Sequence, residues 1–258
     1  MFEYILTYTT IFLVVVLFLA RVCRRPSEQE RTVTATIDIP NINAGGITVA
    51  MGHLWLIDSN DSKLYKIDMD EQKVISALDT ELTSPRGLTW DGNYFWCTDN
   101  SGGMVHRVDW ADGKSLNAFD IPVYDKTEPV EMEDVAWDET NECLWVAYAA
   151  GDESEILRMN CKTGEVIQAV YANCHPRGLA VDGDYLWVAS YNRNQYGGAV
   201  SRQIIMDDAD QMSASKVYLR SAPGKTPAGI TFDEKALWVV DRALESLVRV
   251  LVPASCRL

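Results

Sequence analysis

One short pattern recurs five times along this chain and constrains its fold more than any other feature. Each copy carries a bulky apolar residue followed by tryptophan: Leu54-Trp55, Phe95-Trp96, Leu144-Trp145, Leu186-Trp187 and Leu237-Trp238, at intervals of roughly 40–50 residues. A short apolar strand precedes each pair and opens on Gly or Asp: Gly46-Ile47-Thr48-Val49, Gly87-Leu88-Thr89-Trp90, Asp134-Val135-Ala136-Trp137, Gly178-Leu179-Ala180-Val181 and Gly229-Ile230-Thr231-Phe232. In four copies an Asp turn follows that strand, at Asp91, Asp138, Asp182 and Asp233. After the tryptophan come a loop and a third strand (LYKID, VHRVD, ILRMN, VSRQI, LVRV). A fourth segment closes the first four copies (KVISALD, SLNAFDI, EVIQAVY, SKVYL). No repeat holds a helical period. Four short strands in a repeat of this length predict one propeller blade.

The fifth copy lacks a fourth strand after LVRVLV, and Thr32 to Ile39 (TVTATIDI) stands unused ahead of the first. The expected fold is therefore all-β, a five-bladed β-propeller over residues 32–256, with its ring closed by an N-terminal strand. Closure removes the open sheet edges that invite aggregation. Five tryptophans at one blade position are expected to pack between blades. The cations that recur in the third strand, Lys66, Arg107, Arg158, Arg202 and Arg249, are expected to be solvated or paired scaffold positions.

Ahead of the repeats, Tyr4 to Ala20 contains no charge, Pro or Gly and reaches the lower length limit of a membrane span. Only Glu3 carries a side-chain charge before it, and the following LARVCRR lacks a small-residue cleavage pattern. These features predict an uncleaved single transmembrane helix over residues 1–22, followed by a polar tether over 23–31. Arg21, Arg24, Arg25 and Arg31 all follow the span, so the charge rule places the propeller in the cytoplasm. Tethered domains of this kind are often exported, and export is the alternative. The six cysteines show no metal-ligand spacing and are expected to be free thiols, with Cys23 placed for palmitoylation.

The formal charge is −14, which argues against binding to nucleic acid. It also means that membrane attachment runs through the apolar segment and not through electrostatics.

Ligands of propellers sit at the mouth of the axial channel, which the loops before the first strand and after the second surround. Here those loops supply Arg86, Glu131, Glu133, His175, Arg177, Tyr148, Tyr191, Asn192 and Arg242. The arginines suit an anionic group. Glu133, Asp58, Asp99 and Asp241 are oxygen donors of the kind that hold Ca²⁺ or another divalent cation. An Asp that ends a strand is also ordinary turn chemistry, which competes with that reading for Asp58, Asp99 and Asp241. Glu133 and His175 are the candidate acid/base groups, with no Ser or Cys partner assignable to His175. Glu131, Glu133 and Asp134 break the Pro-Arg-Gly pattern of the neighbouring repeats, and such departures concentrate at functional sites. The insertion Tyr191 to Gly198 lengthens one mouth loop.

The segments PRGLTWDGNYFWCTDNSGGMVHRVD and PRGLAVDGDYLWVASYNRNQYGGAVSR resemble NHL-type and related propeller repeats, and the likeness runs from Ile37 to Val252. Relatives of such repeats include glutamine cyclotransferase-like and gluconolactonase-type propellers. The first likeness implies a glutaminyl cyclase with Glu133 as the proton shuttle and Tyr148 or Tyr191 as an aromatic wall. The Thr-Gln-Gly-Leu opening of those enzymes is absent here. The second implies a metal-dependent lactonase with Glu133, Asn192 and Asp241 as ligands, although those enzymes have six blades. A platform that binds a protein, peptide or small molecule at its mouth requires neither chemistry, and a purely structural scaffold requires no ligand.

Overall fold

The computed structural model describes residues 33–122, 130–151, 153–172, 175–192, 197–204, 219–220 and 226–252. The proposed span Tyr4 to Ala20 and the tether lie outside the described residues. Among the described residues twenty strands follow one another. Strand β1 (Val33–Asp38) precedes four blades. The first holds β2 (Ala44–Ala50), β3 (His53–Asp58), β4 (Lys63–Asp68) and β5 (Lys73–Asp79). The second holds β6 (Pro85–Trp90), β7 (Phe95–Asp99), β8 (Met104–Val108) and β9 (Ser115–Asp120). The third holds β10 (Val130–Asp138), β11 (Cys143–Ala150), β12 (Glu153–Asn160) and β13 (Val166–Tyr171). The fourth holds β14 (His175–Asp182), β15 (Tyr185–Asn192), β16 (Gly197–Ile204) and β17 (Leu219–Arg220). The fifth blade is built from β18 (Pro227–Phe232), β19 (Ala236–Asp241), β20 (Ser246–Leu251) and β1, in the order β1-β20-β19-β18. The chain is thus a five-bladed propeller closed by its N-terminal strand, as the repeats predict. β1 pairs antiparallel with β20, from Val33 opposite Val250 to Asp38 opposite Ser246.

The repeated tryptophan and the repeated cation are two halves of one device. Trp55 lies opposite Lys66, Trp96 opposite Arg107, Trp145 opposite Arg158, Trp187 opposite Arg202 and Trp238 opposite Arg249. All five indoles are buried. Lys66 and Arg158 lie over the rings of Trp55 and Trp145, a cation–π contact that orders a long side chain across the sheet. The turn Asp completes the unit. Its carboxylate accepts the indole N–H in three blades: Trp96 donates to Asp91 at 2.8 Å, Trp145 to Asp138 at 3.2 Å and Trp238 to Asp233 at 2.9 Å. Arg249 joins the last of these at 2.6 Å. The first blade has no Asp at its turn, and Trp55 donates instead to the Ala50 carbonyl at 3.2 Å. A buried indole N–H needs a partner, so the spacing from Asp to Trp is a hydrogen-bonding requirement as well as a packing one.

The inner strands β2, β6, β10, β14 and β18 meet around the axis, and the residue that opens the repeat decides how closely. A Cβ on Gly87 would lie 2.6 Å from the Asp134 Cα, and one on Gly178 would lie 2.5 Å from the Ala228 carbonyl oxygen. Only glycine permits this backbone approach. Four blades carry Gly here, and the third carries Asp134. Its carboxylate fills the shared space and accepts the backbone N–H of Leu88 at 3.3 Å and of Leu179 at 2.7 Å. One side chain therefore hydrogen-bonds the second and fourth blades to the third.

Candidate functional site

The end of the disc where the inner strands begin, termed the upper face, collects the charged residues that the sequence singles out. Each inner strand breaks register there, between Ala44 and Ile47, Pro85 and Leu88, Met132 and Asp134, Pro176 and Gly178, and Pro227 and Ile230. A bulge leaves an extra residue unpaired in the ladder and re-aims its side chain. The residues directly before the close-packed position are Gly45, Arg86, Glu133, Arg177 and Ala228. One carboxylate thus stands between two arginines of flanking blades, with small residues in the other two. Arg242 follows β19 in the fifth blade, with its Nε bonded to the Ala44 carbonyl at 3.0 Å.

Glu133 is only 5% exposed. Its Oε1 lies 3.3 Å from an Arg177 nitrogen, and that guanidinium also donates to Oε2 at 3.3 Å. Burial pushes its pKa up to about 7 against the pull of Arg177 and Arg86, with Glu131 reinforcing the rise and Arg242 opposing it. Burial, helped by repulsion from Arg86 and Arg177, lowers Arg242 to about 10. Asp134 is fully enclosed, and burial raises it well above the usual carboxylate range despite its backbone hydrogen bonds. The mouth therefore sets a buried carboxylate, whose pKa burial raises, among the charges of three arginines and Glu131 in a strongly acidic protein.

This has a consequence for stability. A carboxyl whose affinity for a proton is higher in the folded chain stabilises the fold at low pH and loses that contribution as pH rises. For Glu133 the window runs from 4.5 to about 7. Glu133→Gln is expected to cancel a loss of about 3 kcal/mol across that window. Urea denaturation of both chains from pH 4 to pH 8 checks this, since equal slopes would show that Glu133 does not titrate as described.

The other sequence candidates fall into separate groups. His175 reaches Ser154 Oγ at 3.5 Å through Nδ1, a partner that no sequence spacing reveals. Ser154 is itself buried, which leaves its hydroxyl poorly placed as a nucleophile. Tyr148 is buried and donates to Glu155. Asn100 Oδ1 accepts the Met132 N–H just before Glu133 and ties the second blade to the third, another contact hidden from the sequence. The side chains of Tyr191 and Asn192 lie outside the described residues, as does part of the insertion.

Asp58, Asp99 and Asp241 are separated in three blades and act as turn caps. Asp58 accepts backbone N–H groups of Asn43 and Asn60, Asp99 those of Thr83, Ser84 and Ser101, and Asp241 those of Ala243 and Leu244. Among the described residues no three His, Cys, Asp or Glu side chains gather to hold a metal ion. Glu133, facing guanidinium groups, has surroundings that oppose a cation. Glu133, Asp58, Asp99 and Asp241 do not fit the Ca²⁺ site that the sequence offers as one reading, and the lactonase-type set includes Asn192, whose side chain lies outside the described residues.

The channel also widens at the opposite, lower face into a cavity of about 430 Å³ bordered by Thr48, Thr89, Trp90, Trp137, Thr231 and Phe232. Its lining includes one ionisable side chain, Glu139. The convergence of charge favours the upper mouth as the site.

No protein-family model matches the sequence, and no curated protein sequence does either. Among solved structures the fold is similar to the glutaminyl cyclase of Myxococcus xanthus, with a TM-score of 0.62 and 10% identity over 86% of this chain and 97% of that one. It is also similar to a chain in the crystal structure of a nidogen/laminin complex, with a TM-score of 0.56 and 15% identity over 83% and 78%. At such identities the likeness is one of fold.

Proposed function

We propose that this propeller is a ligand-binding platform whose upper mouth receives a small molecule or peptide through an anionic group. The observation that carries this reading is the Arg177–Glu133 ion pair at 3.3 Å, with the charges of Arg86 and Arg242 acting on the same carboxylate. Guanidinium groups are forked donors suited to carboxylate, phosphate or sulfate. The mouth holds more of them than its own buried carboxylate can neutralise. Isothermal titration with sulfate, phosphate and short carboxylates is expected to show saturable binding that Arg86→Ala/Arg177→Ala removes. Unchanged binding in that double variant would overturn the assignment.

A second reading rests on Glu133 alone. A buried carboxyl that titrates near neutral pH suits a general acid/base, and the glutaminyl cyclase shares the fold. In this reading Glu133 carries a proton between the amine and the departing amide of an N-terminal glutamine. Ring closure would release ammonia from a glutaminyl peptide, and Glu133→Gln would stop it. Absence of ammonia with the folded native chain would leave the binding reading alone.

Residues 1–22 complete the proposal as a membrane anchor for this platform. Retention of the full chain, but not of residues 32–258, in membranes washed at alkaline pH is the expected result.

A further inference from the structure

We infer that the upper mouth takes up its anionic ligand together with a proton: the ligand displaces the Glu133 carboxylate as the counter-ion of Arg177, and Glu133 becomes protonated as it does so. This deepens the ligand-binding reading above and rests on it.

The inference follows from where the charges stand. Arg177 from β14 pairs with the Glu133 carboxylate, the charges of Arg86 from β6 and Arg242 after β19 act on it, and Glu131 and Asp134 from β10 are its acidic neighbours. Asp134 cannot serve as the exchangeable counter-ion, because its oxygens hold the N–H groups of Leu88 and Leu179 inside the core. Glu131 is exposed, where water screens it. Glu133 is the buried anion that touches a guanidinium, 3.3 Å from Arg177. It is the chain's own occupant of the position an incoming carboxylate or sulfate would take. Two anions cannot share that buried position beside one guanidinium without strong repulsion. Protonation of one of them removes the conflict, and burial has already raised the pKa of Glu133 toward neutral. The proton comes from solvent, no covalent bond to carbon changes, and the protonated carboxyl can then donate a hydrogen bond to the ligand it has admitted.

Sulfate is the suitable probe, since its own charge is constant across the neutral range. Its affinity is expected to fall about tenfold per pH unit above pH 7, the limit for uptake of one proton. Titration at pH 8 in two buffers of different ionisation enthalpy should register close to one proton taken up per sulfate bound. Glu133→Gln should bind sulfate with an affinity that no longer varies with pH and with no proton uptake. Near-ultraviolet circular dichroism establishes that this variant is folded, and the buffer comparison on the native chain stands without it. Sulfate binding that is independent of pH and free of proton uptake would overturn the inference and leave the binding platform intact. No sulfate binding at any pH would remove both.

Discussion

Deletion of residues 1–38 yields a chain that no longer unfolds in one cooperative transition and that associates in solution. β1 is the outer strand of the last blade, and its loss leaves β20 as an unpaired edge ready to accept another chain. The same cut removes Ile37, which is 1% exposed and packs with Ile39, Ala44, Ile47, Trp238, Val240 and Leu247. That cluster joins the first blade to the fifth. Loss of one buried Ile to a smaller residue costs about 2–5 kcal/mol. Adding the lost ladder brings the total close to the 5–15 kcal/mol that holds an ordinary domain together. Light scattering with denaturant unfolding checks the expectation, and a chain lacking only residues 1–31 is the control that must keep its transition. A deletion to residue 38 that stays monomeric and cooperative would mean the ring does not depend on this closure.

The second large effect comes from restoring the repeat where the chain departs from it. Replacing a residue by the consensus of its own repeats commonly stabilises a protein. At Asp134 it should do the reverse. Asp134→Gly matches the other four blades but leaves the N–H groups of Leu88 and Leu179 buried with their side-chain acceptor gone. Each unsatisfied group costs about 1–3 kcal/mol, and the freed glycine adds backbone entropy to the unfolded chain. A loss of about 3–5 kcal/mol is expected in urea denaturation. Asp134→Asn keeps one acceptor oxygen and should lose less. Parity between Asp134→Gly and the native chain would show that the axis does not need this carboxylate.

Blade number and ring closure were both legible in the sequence, because Trp, Gly and Asp recur at positions that the strand ladder and the axis demand. The pairing of tryptophan with cation was legible only as two separate recurrences. Their opposition depends on the register between second and third strands, which no single repeat states. The site was half legible. Arg86, Glu133 and Arg177 stood out as mouth residues, but their encounter depends on bulges in three inner strands that lie more than forty residues apart. Asp58, Asp99 and Asp241 offered the same residue type to two uses, and backbone N–H groups claim them. The partnership of His175 with Ser154 crosses from one blade to the next and leaves no trace in spacing.

The direction of the closing strand has one more consequence. β18 descends from the upper face, β19 returns, β20 descends again, and β1 must rise against it. Val33 therefore sits at the lower rim, and whatever is joined ahead of it leaves from the back of the disc. A surface, a fluorophore or a second domain coupled directly at Val33 would join the disc at the rim opposite the arginine mouth.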